Sequence, residues 1–229
     1  MATDARHRIT IGRRILHREG CDSHVGGQVS ARSDDGRGFW ATGFDYFDQG
    51  SPGDVALVGW ELEVLAGEFP LSRALGFHAA IYRRRPDVHA VVHLHSPYVT
   101  ALSSTGSTVG MYDVTAVCFA GEQATYADDG IKPHVSVAEA LGEGRVVLMA
   151  NHGAIVASDS IEHAVVEAVT LERCARIHLL ATAAGGREIA PAELAAGRRS
   201  FRPLYLQNMW EANEARVLAA EPELATGLS

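Results

Sequence analysis

The run HAVVHLH, residues 89–95, constrains this chain more than any other stretch. Side chains alternate along a strand, so His93 and His95 project on one face while Val92 and Leu94 go to the other. Two imidazoles are thereby aimed at one spot. A second apolar strand, RVVLMAN at 145–151, leads into His152 and Gly153, where glycine lets the backbone turn close to a site. Three imidazoles from two strand ends can form a facial set of nitrogen ligands for Zn²⁺, Mn²⁺ or Fe²⁺ and leave positions open for a substrate. A lone His-x-His pair is equally consistent with two hydrogen-bonded sheet residues, so the neighbouring segments have to decide.

Those neighbours read as alternating strands and helices. Residues 6–19 place Ile9, Ile15 and Leu16 among arginines, as an amphipathic opening helix does. Glycine-punctuated pieces follow, QVSAR, GFWAT, DVALVGW and ELEVL, and predict a meandering sheet. The stretch 71–85, closed by Pro86, has helical spacing, and after the histidine strand Ser96 and Pro97 suit the cap and first position of another helix. GAIVAS at 153–158 continues as a strand, and 159–184 is the clearest helix, stopped by Gly185 and Gly186. Residues 187–202 read as a loop or short helix, and 205–220 as helix again.

A chain of 229 residues with 47% hydrophobic and 21% charged residues has room for one domain, at most two, and a sizeable core. Its net charge of −8, with no compensating basic stretch, argues against a nucleic-acid partner. The three cysteines, Cys21, Cys118 and Cys174, form no CxxC pair and fit buried free thiols. The charged N-terminus lacks the apolar core of a signal peptide, and no apolar run approaches the ~18 residues of a membrane span. The expectation is a cytoplasmic protein with no membrane partner.

FHAAIYRRRPDVHAVVHLHSPYVTALSS at 77–104, RVVLMANHGAIVAS at 145–158 and the long helix from 159 together resemble the class II aldolase/adducin family. GGQVSAR at 26–32 and ATGFDYFDQGSPGDVALV at 41–58 extend the resemblance over about residues 10–220. It implies an α/β fold, a three-layer α/β/α arrangement with a central, mainly antiparallel sheet, and residues 1–229 as a single domain. It also implies that His93, His95 and His152 ligate a divalent metal, Zn²⁺ before Mn²⁺ or Fe²⁺, and that the chain assembles as a homo-oligomer, a tetramer, acting on a small molecule.

The departures from the family pattern are informative. The aldolases carry a metal-binding, proton-shuttling glutamate four residues before the histidine that aligns with His78; here that position is Ala74. Their phosphate cradle is matched only in part, by Gln28 after His24, Val25, Gly26 and Gly27, by Thr42 and Gly43, and by Ser72 and Arg73. These are the substrate-binding candidates, and Arg73 suits a carboxylate as well as a phosphate. His78, one turn from Ala74, is the candidate replacement acid/base, and Tyr205 in the tail can cross to a neighbouring subunit as C-terminal tyrosines of the aldolases do.

The resulting expectation is a metal-dependent carbon–carbon lyase, a decarboxylase or retro-aldolase, acting on a small hydroxy or oxo acid or sugar derivative through a metal-stabilised enediolate. Loss of the glutamate tilts the choice towards decarboxylation, which needs only an electron sink and a later protonation. A non-haem Fe(II) oxygenase of an aryl-pyruvate-type acid is the alternative, and a non-catalytic adducin-like interaction module the second.

Overall fold

The strand Ala90–Leu94 is buried along its whole length, because it sits in the middle of an eight-stranded sheet with helices on both faces. In chain order the strands are β1 (Gln28–Arg32), β2 (Gly38–Ala41), β3 (Ala56–Gly59), β4 (Val64–Ala66), β5 (Ala90–Leu94), β6 (Gln123–Tyr126), β7 (Val146–Met149) and β8 (Gly153–Ser158). They are arranged β4-β3-β2-β1-β5-β8-β7-β6, antiparallel throughout except for the parallel pair β6 and β7. The computed structural model describes residues 5–68, 70, 72–127 and 133–227, the side chains of 191–203 and 226–227 excepted. Leu71, where the sequence reading starts its second helix, lies outside the described residues.

The helices are α1 (Ala5–Arg18), α2 (Leu75–Arg84), α3 (Pro97–Ser103), α4 (Pro133–Leu141), α5 (Ile161–Ala183) and α6 (Pro191–Ala220). One face of the sheet is covered by α1, α3, α5 and α6, the other by α2 and α4. The alternation of β5 sorts its side chains between these layers: Val92 and Leu94 pack with Val165 and Val169 of α5, and Val91 packs with Phe77 and Ile81 of α2. This is the expected three-layer α/β fold. Among the described residues no helix is long and apolar enough to cross a membrane.

Local signals account for most of the boundaries. Ser160 caps α5 by accepting from the His163 amide at 3.1 Å, and Gly185, at φ 73°, closes it in the left-handed region. Pro97 occupies the first turn of α3 after Ser96. Helix α2 begins at Leu75 rather than 71, since residues 72–74 form successive turns onto Leu75, Gly76 and Phe77. Residues 191–202, read from sequence as a loop or short helix, belong instead to the 30-residue helix α6. Strand β6 had no counterpart in the sequence reading.

Helix α1 does more than cover the sheet. Arg14 donates to the carbonyls of Phe47, Gln49 and Gly50 at 2.7–3.0 Å while its Nε pairs with the Glu221 carboxylate. Arg13, buried beside it, donates to the carbonyls of Asp45 and Tyr46. Two consecutive guanidinium groups thus clamp the loop that follows β2, where no regular ladder holds the backbone.

Candidate metal centre

Three imidazoles meet at the end of β5. His93 is the fourth residue of β5, His95 follows the strand, and His152 lies in the turn between β7 and β8, so the antiparallel pairing of β5 with β8 brings sequence-distant ligands together. Ring centroids are 4.6 Å apart for His93 and His95, 5.1 Å for His93 and His152, and 4.9 Å for His95 and His152. One nitrogen from each lies within 4.8 Å of the other two. His93 is buried, His95 partly so and His152 exposed, so the cluster opens to solvent on the His152 side.

The backbone around the cluster is shaped to bring it close. Asn151, at φ 56°, takes the left-handed conformation that makes the tight turn before His152. A Cβ on Gly153 would sit 2.2 Å from the Leu94 carbonyl, and one on Gly26 would sit 2.8 Å from the His95 ring. Both positions therefore require glycine for chains to approach the histidines.

A buried glutamine sets the state of His93. Gln28 Nε2 donates to the Gly26 carbonyl at 2.6 Å, which turns Oε1 towards His93 Nδ1 at 3.0 Å. An acceptor there holds the proton on Nδ1 and leaves the Nε2 lone pair free, with His95 Nε2 only 3.1 Å away. Tetrahedral zinc with Zn–N bonds of about 2.1 Å has N···N edges of about 3.4 Å, so this spacing is close to what a divalent ion needs. Burial, reinforced by the neighbouring imidazoles, pushes His93 well below the ordinary histidine value and His95 to about 4, so both favour the neutral ligand form. Replacing Gln28 by leucine is expected to weaken zinc binding about 10- to 100-fold while leaving the fold intact, measured by competition with a chromophoric chelator. Unchanged affinity would show that Gln28 does not orient the ligand.

The other residues singled out from sequence fall into distinct places. His78 is fully buried in α2, its Nδ1 2.7 Å from Ser30 Oγ, which in turn meets the Tyr82 hydroxyl at 2.8 Å. Burial pushes its value down to about 3, which favours the neutral ring. Thr42, Gly43 and Ser72 are buried, and Ser72 Oγ accepts from the Ala74 amide at 3.2 Å. Arg73 is exposed at the turn before α2, next to Ala74. Tyr205 is half-buried in a cleft of about 660 Å³ that Tyr98, Glu172, Arg173 and Arg176 also line. Tyr205 packs against the core under α5, on the opposite face of the sheet from Phe77 and Val91.

Two further neighbours surround the histidines. Phe77 inserts its ring among the histidines, 5.7 Å from His93, 6.2 Å from His152 and 4.6 Å from His134 of α4. The His134 and Phe77 rings meet edge to face. His24, exposed, lies in the loop that leads to Gly26, near His95. Only its phrase with Gly26 and Gly27 hinted at this.

The buried histidines also predict a pH dependence of stability for the chelator-treated protein. His78 and His95 have folded values of about 3 and about 4, against 6.5 in the unfolded chain, so the unfolded chain takes up protons first on acidification. Stability is therefore full above pH 6.5 and falls steadily as the pH drops towards 4. The check is the urea midpoint at pH 7.5, 6 and 5, a window in which carboxylates stay ionised in both states. A flat profile would contradict the burial of these rings.

Residues 8–179 match the family model for the class II aldolase and adducin N-terminal domain. The chain is 33% identical over 154 residues to a 5-deoxy-D-ribulose 1-phosphate aldolase of Bacillus thuringiensis serovar kurstaki, covering 66% of this chain and 71% of the relative. It is 27% identical over 238 residues to a 3,4-dihydroxyphthalate decarboxylase of Arthrobacter keyseri, covering 94% and 95%. Among solved structures, the L-fuculose 1-phosphate aldolase from Glaciozyma antarctica PI12 superposes with a TM-score of 0.87 at 26% identity, covering 97% of this chain and 94% of that one. Relatives of this chain therefore include both aldolases and decarboxylases, and the chain belongs to the class II aldolase and adducin N-terminal domain family.

Proposed function

We propose that this chain is a divalent-metal-dependent carbon–carbon lyase that decarboxylates a small hydroxy or oxo acid, with His93, His95 and His152 as the metal ligands. The observation that carries the reading is the convergence of three imidazoles, with Ala74 rather than a carboxylate at the aldolase glutamate position in the sequence. A divalent cation held there, zinc in this reading, would act as a Lewis acid for the electron pair left when the carbon–carbon bond breaks. Gln28 holds His93 in the ligating tautomer, and the open His152 side admits substrate. Arg73, exposed beside Ala74, is suited to receive a carboxylate through paired hydrogen bonds.

In the same reading residues 1–229 act as one unit in a cytoplasmic tetramer, and Tyr205 reaches the centre of a neighbouring copy. His78, buried and neutral, supports the site through Ser30 and Tyr82 instead of exchanging protons with solvent. The aldolase relatives keep retro-aldol cleavage of a sugar phosphate as the second reading.

The test is metal analysis of protein purified without added metal, beside a His93→Ala, His95→Ala double variant, followed by assays for carbon dioxide release and for sugar-phosphate cleavage. Zinc or manganese that vanishes in the variant, with carbon dioxide release, is the expected result. Cleavage of sugar phosphates alone selects the second reading, and iron with oxygen uptake on aryl-pyruvates selects an oxygenase. Protein that takes up no metal overturns the lyase and leaves an adducin-like binding module.

A further inference from the structure

The cleft of about 660 Å³ lies in the layer of α1, α3, α5 and α6, whereas His93 faces Phe77 of the other layer. Its volume falls within the ~300–1,000 Å³ of small-molecule sites. One stripe of α5 builds a wall of it, since Val169, Arg173, Arg176 and Ile177 recur at helical spacing, and Tyr98 of α3 and Met209 of α6 complete the lining. Aliphatic carbon and two guanidinium groups thus share one concave surface.

The charges of this cleft do not balance within the chain. Glu172, on the same stripe, spends its buried carboxylate on Ser96 Oγ and the amides of Tyr98 and Val99. Glu19 pairs with Arg216 at 3.6 Å. Asp113 stands 4.0 Å from Arg173, and its other oxygen accepts from the Thr115 amide at 2.7 Å. Arg176 forms no ion pair among the described residues; its guanidinium lies over the Tyr98 ring, 5.4 Å from the centroid. Both arginines are exposed, and like charges three residues apart on a helix are neighbours that repel. An anion placed between them removes that repulsion.

We infer that this cleft is a second ligand site, separate from the metal centre, and that it binds an aliphatic monocarboxylate. The carboxylate bridges Arg173 and Arg176, whose planar groups present paired N–H donors matched to its two oxygens. The hydrocarbon body lies along Val169, Ile177 and Met209, which removes apolar surface from water on both sides. Inorganic phosphate satisfies the arginines but leaves that wall wet, so the carbon body sets the preference. The site uses none of the three histidines, and the inference stands or falls independently of the lyase reading.

The test is isothermal titration calorimetry of the full chain with octanoate, acetate, 1-octanol and inorganic phosphate, each repeated after chelation of divalent metal. The expected result is one octanoate per chain, bound about tenfold or more tighter than each of the other three and equally well with and without chelator. Arg173→Gln and Arg176→Gln are each expected to weaken octanoate about tenfold, with circular dichroism verifying the fold. The comparison of the four probes needs no variant and decides the inference even where a substitution harms folding. Absence of octanoate binding, an affinity matched by acetate, octanol or phosphate, or one indifferent to both substitutions overturns the inference. Octanoate binding abolished by chelation overturns it too, since the acid then sits on the metal.

Discussion

Replacing His93 by alanine is expected to remove the bound metal and to lower kcat/KM by three orders of magnitude or more, ~4 kcal/mol of transition-state stabilisation. His93 is the buried member of the cluster, and its Nε2 is the atom whose lone pair Gln28 keeps available. Losing it also opens a hole between Phe77 and His95, whose rings lie 5.7 and 4.6 Å from it. His152→Ala removes a ligand from the exposed side and should cost similar activity with less stability. Metal content, kcat/KM and the urea midpoint of each variant separate these effects. Full metal occupancy in His93→Ala would show that the imidazoles do not form the centre.

The second large effect is expected far from the open face. Glu172 of α5 is 6% exposed and accepts from Ser96 Oγ at 2.7 Å, the Tyr98 amide at 2.9 Å and the Val99 amide at 2.8 Å. One buried carboxylate thus satisfies the first amides of α3, immediately after His95. Glu172→Ala leaves those donors without a partner in the interior and should destabilise the protein by about 3 kcal/mol. Because the same residues fix where the chain goes after His95, zinc affinity should fall as well. Urea denaturation combined with chelator competition measures both, and a loss below ~1 kcal/mol with unchanged zinc affinity would refute this anchoring role.

Much of this was legible in the chain. Alternation in HAVVHLH placed His93 and His95 on one side and Val92 and Leu94 on the other, since β5 lies in the middle of the sheet and both faces are covered. Pro97 and Gly185 marked helix ends because capping chemistry is local. What stayed hidden depended on tertiary partners. β6 is a four-residue edge strand, QATY, only partly buried, so no periodicity announces it. Gly197 and Pro203 argue for an interruption where the backbone of α6 runs through. The role of Gln28 was invisible for the same reason: Gln28 is cross-strand from His93 in the register of β1 with β5, and sequence does not reveal that register.

That register has one further consequence. In the native pairing His93 stands opposite Gln28 on one side and Ile155 on the other. Sliding β5 by a single residue would drive both imidazoles into the valine-rich layer beneath α5 and put Val92 and Leu94 where the ligands belong. Assembly of the sheet and assembly of the metal centre therefore share one checkpoint. A population of well-packed molecules with a scrambled centre has no stable structure to occupy, and an insertion before His89 could be absorbed only in steps of two residues.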